Sequence, residues 1–141
     1  MPIIGAVMTP FPYFVQIDDS IAKVQQLMVE HSIRHIPVQH EGTVVGVISD
    51  RDLRALPGDT LSPSMQHETR VRDVLSPNPY IVDFNTSLAV VVRKMAARQI
   101  GSAIVLRRGR LAGILSSTDV CRILAGILEA RYPESDGNDA A

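Results

Sequence analysis

Gly46-Val47-Ile48-Ser49-Asp50-Arg51-Asp52 returns 67 residues later as Gly113-Ile114-Leu115-Ser116-Ser117-Thr118-Asp119. Each copy runs a short apolar strand into a serine followed, three positions on, by an aspartate, the pattern of a helix start. At the same offset residues 7 to 53 align with residues 74 to 120 without a gap, giving 15 identities in 47 positions. Unrelated sequences of this composition would give roughly three or four. Internal repetition outranks other signals because a repeated unit folds twice. Two copies are too few for a solenoid. They predict two like units, packed face to face about a pseudo-twofold axis.

Each copy reads in the same order. Tyr13 to Ile17 and Tyr80 to Phe84 are short β-prone runs after proline-rich turns, followed by polar capping residues. Ile21, Val24, Leu27 and Met28, and likewise Leu88, Val91, Val92 and Met95, recur at helical spacing and predict a helix with one apolar, core-facing side. Two strands follow, Arg34 to Gln39 and Val44 to Ser49, turning at Glu41-Gly42, with counterparts at Ser102 to Leu106 and Leu111 to Ser116 around Gly109. A second helix opens at each Ser/Asp junction. The expected fold class is therefore α/β (α+β), as two β-α-β-β-α units: 1–56, a connecting surface loop 57–70, a second unit 71–131 and a frayed tail 132–141.

Composition narrows the function. With 141 residues, 14 Lys+Arg against 15 Asp+Glu and a net charge of −1, the chain is long enough for its own core and too nearly neutral for a nucleic-acid or membrane binder acting through bulk charge. No apolar run approaches the roughly 18 residues of a membrane span, and one cysteine forms no intramolecular disulfide. A cytoplasmic setting is the expectation. Cys121, between Val120 and Ile123, reads as a buried inert thiol. His31 and His35 lie at a helix end and a strand start and need not share a face, so no metal site is expected. No nucleophile elbow or carboxylate pair supports catalysis, and no catalytic residue is assigned.

The junctions carry the remaining chemistry. A helix N-terminus with hydroxyls favours an anion such as phosphate, whereas a carboxylate accepts hydrogen bonds from the two hydroxyls of a ribose. Ser49, Asp52, Ser116 and Asp119 thus read as plain helix caps or as nucleotide recognition. Before the hairpins, Arg34 and His35 offer donors to a phosphate, while Gly101 and Ser102 leave room for a base. Arg107, Arg108 and Arg110 form a short basic turn, either a solvated hairpin or a contact for an anionic ligand or partner.

Taken in order and twice over, Val7-Met8-Thr9-Pro10 and Val74-Leu75-Ser76-Pro77, the Ile33 to Val38 segment and the two junctions make the chain resemble a tandem pair of cystathionine β-synthase (CBS) domains, a Bateman module, over about residues 3 to 130. The resemblance implies a non-enzymatic sensor, commonly a disc-shaped homodimer, that binds AMP, ADP, ATP or S-adenosylmethionine without a required cofactor and acts on a separate protein partner. It implies two clefts. Cleft A would join Ser116, Thr118 and Asp119 to Thr9, Phe14, Val15, Arg34, His35 and Pro37. Cleft B would join Ser49, Arg51 and Asp52 to Tyr80, Ile81, Val82, Gly101, Ser102 and Ala103. Arg34 and His35 give cleft A the better phosphate chemistry, so it is expected to bind a phosphorylated adenosine more tightly. Two departures from the family pattern are Ile104 in place of a frequent proline and the extra charge of Asp50.

Overall fold

The computed structural model describes residues 1–10 and 12–134. The predicted repeat is present element for element. In the first copy β2 (Val15–Gln16) leads to α1 (Ile21–His31), the hairpin β3 (His35–His40) and β4 (Thr43–Ser49), and α2 (Asp50–Arg54). In the second, β6 (Ile81–Asp83) leads to α4 (Leu88–Arg98), the hairpin β7 (Ser102–Arg107) and β8 (Arg110–Ser116), and α5 (Ser117–Arg131). Local chemistry repeats as well. α1 and α4 both end on a left-handed residue, Ser32 (φ 53°) and Gln99 (φ 55°). Both hairpins turn on two residues with positive φ, Glu41-Gly42 and Arg108-Gly109, as a two-residue type I′ loop requires. The linking segment holds a short helix, α3 (Met65–Glu68), and otherwise turns.

The two sheets are built by exchange between the copies. β1 (Thr9–Pro10) pairs antiparallel with β8 of the other copy, Thr9 opposite Ile114, and β5 (Ser76–Pro77) pairs with β4, Ser76 opposite Val47. The sheet orders are β2-β3-β4-β5 and β1-β8-β7-β6. The cores follow the sheets. Val71 completes the core of Val15, Ile21, Val24, Met28, Ile36, Val38, Ile48 and Leu53, while Ile4 completes that of Val82, Leu88, Val91, Met95, Ala103, Val105 and Leu115. The repeat register and the packed bodies therefore differ: the leading segment of each copy belongs to the opposite body.

Gly46 and Gly113 make this exchange possible. A Cβ on Gly46 would stand 2.9 Å from the Ser76 carbonyl oxygen, and one on Gly113 would stand 2.7 Å from that of Thr9. A larger residue would push the incoming strand off the sheet.

α5 departs from expectation. None of its residues is buried, and Cys121 is exposed rather than an enclosed thiol, because the apolar positions of this helix outnumber the neighbours that cover them. Among the described residues no helix is long and apolar enough to cross a membrane. The tail reading falls mostly on residues 135–141, outside the described residues; Tyr132 to Glu134 continue past α5 without regular structure.

Candidate functional site

The strand-to-helix junctions fold as reciprocal caps. The Ser49 amide donates to Asp52 Oδ2 (2.8 Å) and the Asp52 amide to Ser49 Oγ (3.1 Å). At the second junction the Ser116 amide donates to Asp119 Oδ2 (2.9 Å) and the Asp119 amide to Ser116 Oγ (3.2 Å). The first amide of each helix is also occupied, Asp50 donating to the Arg34 carbonyl and Ser117 to the Gly101 carbonyl, both at 2.9 Å. Capping thus absorbs most of the helix-start amides. It does not exhaust the carboxylates, whose two oxygens offer about four acceptor positions.

Beyond the caps the junctions diverge. Asp52 Oδ1 accepts from Ser76 Oγ (3.0 Å), a hydroxyl delivered by the exchanged strand β5. Asp119 Oδ1 instead faces Arg122 Nη1 at 3.3 Å. The second carboxylate is partly neutralised by its own helix, and the first remains directed towards a cavity.

That cavity, about 720 Å³, opens where α2, the chain before β3, the chain before β7 and the Ser76 to Tyr80 segment converge. Of the cleft B residues it gathers Ser49, Arg51, Asp52, Tyr80, Gly101 and Ser102. Ile81, Val82 and Ala103 do not line it; Val82 and Ala103 belong to the core instead. It also takes in Arg34 and His35, which the sequence reading placed in cleft A. The physical reason is contact across the pseudo-twofold axis: a Cβ on Gly101 would lie 2.7 Å from His35 Nε2, so the missing side chain admits the imidazole.

Four arginines, 34, 51, 54 and 98, and two aspartates, 50 and 52, line the cavity. Asp50 is paired with Arg54 on the next helical turn, which removes the extra negative charge noted in the sequence. Among the described residues Arg34, Arg51 and Arg98 have no carboxylate within 4.0 Å. Burial lowers the His35 pKa below its ordinary 6.5, with Asp52 pulling it up and Arg34 and Arg51 pushing it down. Neutral His35 leaves the arginines as the cationic groups. Tyr80 carries the Arg98 guanidinium 5.2 Å from its ring centroid; its phenol is pushed above the ordinary value by desolvation, against the opposing pull of Arg98.

The residues assigned to cleft A are not brought together in this way. Val15 and Pro37 are buried, Phe14 and Thr118 are exposed, and Thr9 is held in β1 beside β8. Neither they nor Ser116 and Asp119 line the 720 Å³ cavity. The position matching Tyr80 and Arg98 is Tyr13 stacked on His31, with ring centroids 3.8 Å apart. The positions matching Arg34, Arg51 and Arg54 are Gly101, Thr118 and Cys121. Arg34 and His35, on which the expectation for cleft A rested, thus stand with Asp52 and not with Asp119.

Sequence reasoning missed Arg54, Ser76 and Arg98. Ser76 was recoverable, because it is the offset partner of Thr9. Arg98 was not, because only packing carries a helix C-terminus to Tyr80.

A doubled β-α-β-β-α fold with exchanged leading strands and a polar cleft at the strand-to-helix junction defines a tandem-repeat module. The chain belongs to the CBS domain family, whose sequence model matches residues 4–58 and 71–126. The structure of CBSX2 in complex with AMP superposes with a TM-score of 0.75 at 30% identity, covering 90% of this chain and 98% of that one. The Vibrio cholerae protein AcuB superposes with a TM-score of 0.80 at 25% identity, covering 96% and 98%. Zinc metalloprotease MJ0392 of Methanocaldococcus jannaschii is 31% identical over 130 residues, which is 92% of this chain but 34% of that protein. The present chain thus spans about a third of that relative.

Proposed function

We propose that the chain is a regulatory module that binds a phosphorylated adenosine at the Asp52 cleft and passes its occupancy to a separate protein partner. One observation carries the reading: three arginines that have no carboxylate partner among the described residues converge on a cavity that also presents a half-buried aspartate. Asp52, already fixed by Ser49 and Ser76, has acceptor capacity left for the ribose hydroxyls. Arg34, Arg51 and Arg98 take the phosphates, and the space over Gly101 and Ser102 takes the base. The AMP held by CBSX2 supports this ligand class. ATP and ADP fit the surplus of positive charge at least as well, whereas S-adenosylmethionine brings a cation to it. The module acts in the cytoplasm as a homodimer, without catalysis, and switches only to the extent that ligand prefers one of its conformations.

The test is thermal unfolding of nucleotide-stripped protein with AMP, ADP, ATP, S-adenosylmethionine and GTP, repeated on Asp52→Ala and Asp119→Ala. A ligand at about 100 times its dissociation constant adds about 2.7 kcal/mol, and each kcal/mol moves the midpoint by roughly 2 to 8 °C. The expected result is a shift with AMP, ADP or ATP that Asp52→Ala abolishes and Asp119→Ala retains. The opposite pattern would return the site to the Asp119 cleft. The complete capping boxes favour a second reading, a ligand-free interaction module, and absence of any shift would select it.

A further inference from the structure

A second cavity, about 930 Å³, lies between the N-terminal arm and the β7–β8 hairpin, lined by Met8, Phe84, Leu111 and the arginines 107, 108 and 110. Arg107 and Arg110 stand opposite each other in the β7–β8 register, and Arg108 is the first residue of the turn. The Arg107 guanidinium rests 4.5 Å from the centroid of the Phe84 ring. Gly5 donates its amide to the Phe84 carbonyl (3.0 Å), and a Cβ at Gly5 would collide with that ring. The apolar wall is therefore fixed by the backbone of the arm.

Among the described residues none of these three arginines has a carboxylate within 4.0 Å. Like charges facing each other across a strand pair destabilise it. The repeat supplies an internal control on whether the fold needs them. The matching positions of the first copy are His40, Glu41 and Thr43, with Ile17 in place of Phe84, and they make the same hairpin with the same positive-φ turn. The arginines and the aromatic ring are thus additions to a hairpin that folds without them.

We infer that this cavity is a docking site for an acidic segment of a partner protein, one apolar side chain seated against Phe84 and Met8 and flanking carboxylates held by Arg107, Arg108 and Arg110. Exposed guanidiniums hold a single small anion weakly, so several carboxylates on one chain are needed to occupy all three. Arg and aromatic residues together are the composition of interface hot spots. The apolar wall suits a peptide side chain better than a phosphate backbone, and the net charge of −1 does not suit a nucleic-acid binder.

A phage-displayed random dodecapeptide library selected on the full chain, with counter-selection on Arg107→Glu/Arg110→Glu, tests this. The selected peptides are expected to place two or more Asp or Glu beside a Leu, Phe or Met. A synthetic peptide of that sequence is expected to lose affinity by about tenfold or more on the double substitution and by a smaller factor on Phe84→Leu or added salt. The substitutions are expected to leave the adenosine-dependent thermal shift in place, which separates this docking site from the Asp52 cleft. Peptides without acidic residues, or binding indifferent to the two arginines, would overturn the inference. Arginine-dependent binding of a single-stranded oligonucleotide or of phosphatidylserine vesicles in preference to the peptide would also overturn it.

Discussion

His35 is the residue at which burial, charge and ligand chemistry meet. Its pKa in the folded chain lies below the ordinary 6.5, chiefly through desolvation, so between those two values the unfolded chain holds this proton more tightly than the folded one. Stability contributed by the neutral ring is full above pH 6.5, falls as pH drops below it and stops falling at the folded-state pKa. Urea unfolding across that range is expected to show a loss of stability in the wild type that is smaller in His35→Gln. Parallel profiles would show that the imidazole titrates alike in both states. Ser49 and Asp52 were legible in the sequence because a capping box is a local i, i+3 pattern. The cleft to which His35 belongs was not, because Gly101, the residue that admits it, lies 66 positions away in the chain.

At the scale of elements, the hairpins and long helices follow from periodicity and turn chemistry to within a residue or two: β3 was read as Arg34 to Gln39 and is His35–His40. The two-residue strands β1 and β5 could not be read. Both are Ser/Thr-Pro pairs, too short to show an alternating pattern and carrying a proline that strands disfavour, and a strand of the other copy receives them. Their dependence on glycine makes a prediction. Gly46→Ala places a methyl 2.9 Å from the Ser76 carbonyl oxygen, a backbone atom that yields only if β5 shifts. The expected cost is about 1 to 3 kcal/mol, together with weakened ligand binding, since Ser76 steadies Asp52. Gly42→Ala meets no neighbour within 4 Å and suffers only from its φ of +79°, a cost of roughly 1 kcal/mol. Denaturant midpoints and ligand shifts of the two variants compare the cases directly; equal costs with intact ligand binding would remove close strand approach as the reason for Gly46.

At the scale of the molecule, the repeat alone disclosed two units and their symmetry, and said nothing of how unequal they are. Cationic side chains collect at one junction and a ring stack occupies the counterpart of the other, so a near-symmetric backbone carries an asymmetric pair of clefts. α5 adds a second asymmetry. Leu124, Ile127 and Leu128 are 52%, 56% and 47% exposed at i, i+3 and i+4 spacing, an uncovered apolar stripe on a 15-residue helix. The homodimer proposed above would bury this stripe against the second copy. Sedimentation velocity is expected to give a dimer for the wild type and a monomer for Leu124→Glu/Ile127→Glu; a wild-type monomer at high concentration would refute the assembly.

The exchanged leading strands bear on how the chain is made. Thr9 is synthesised more than a hundred residues before its β8 partner Ile114, and Ile4 precedes the core it completes by a similar stretch of chain. Contacts so distant along the chain are late and slow to form. The first body receives its missing strand as soon as residues 71–77 emerge, and it can close during translation while the arm still hangs free. The second body is closed by a segment that precedes it in the chain, so a nascent polypeptide that stalls before β8 leaves Thr9 and Pro10 without the strand that receives them.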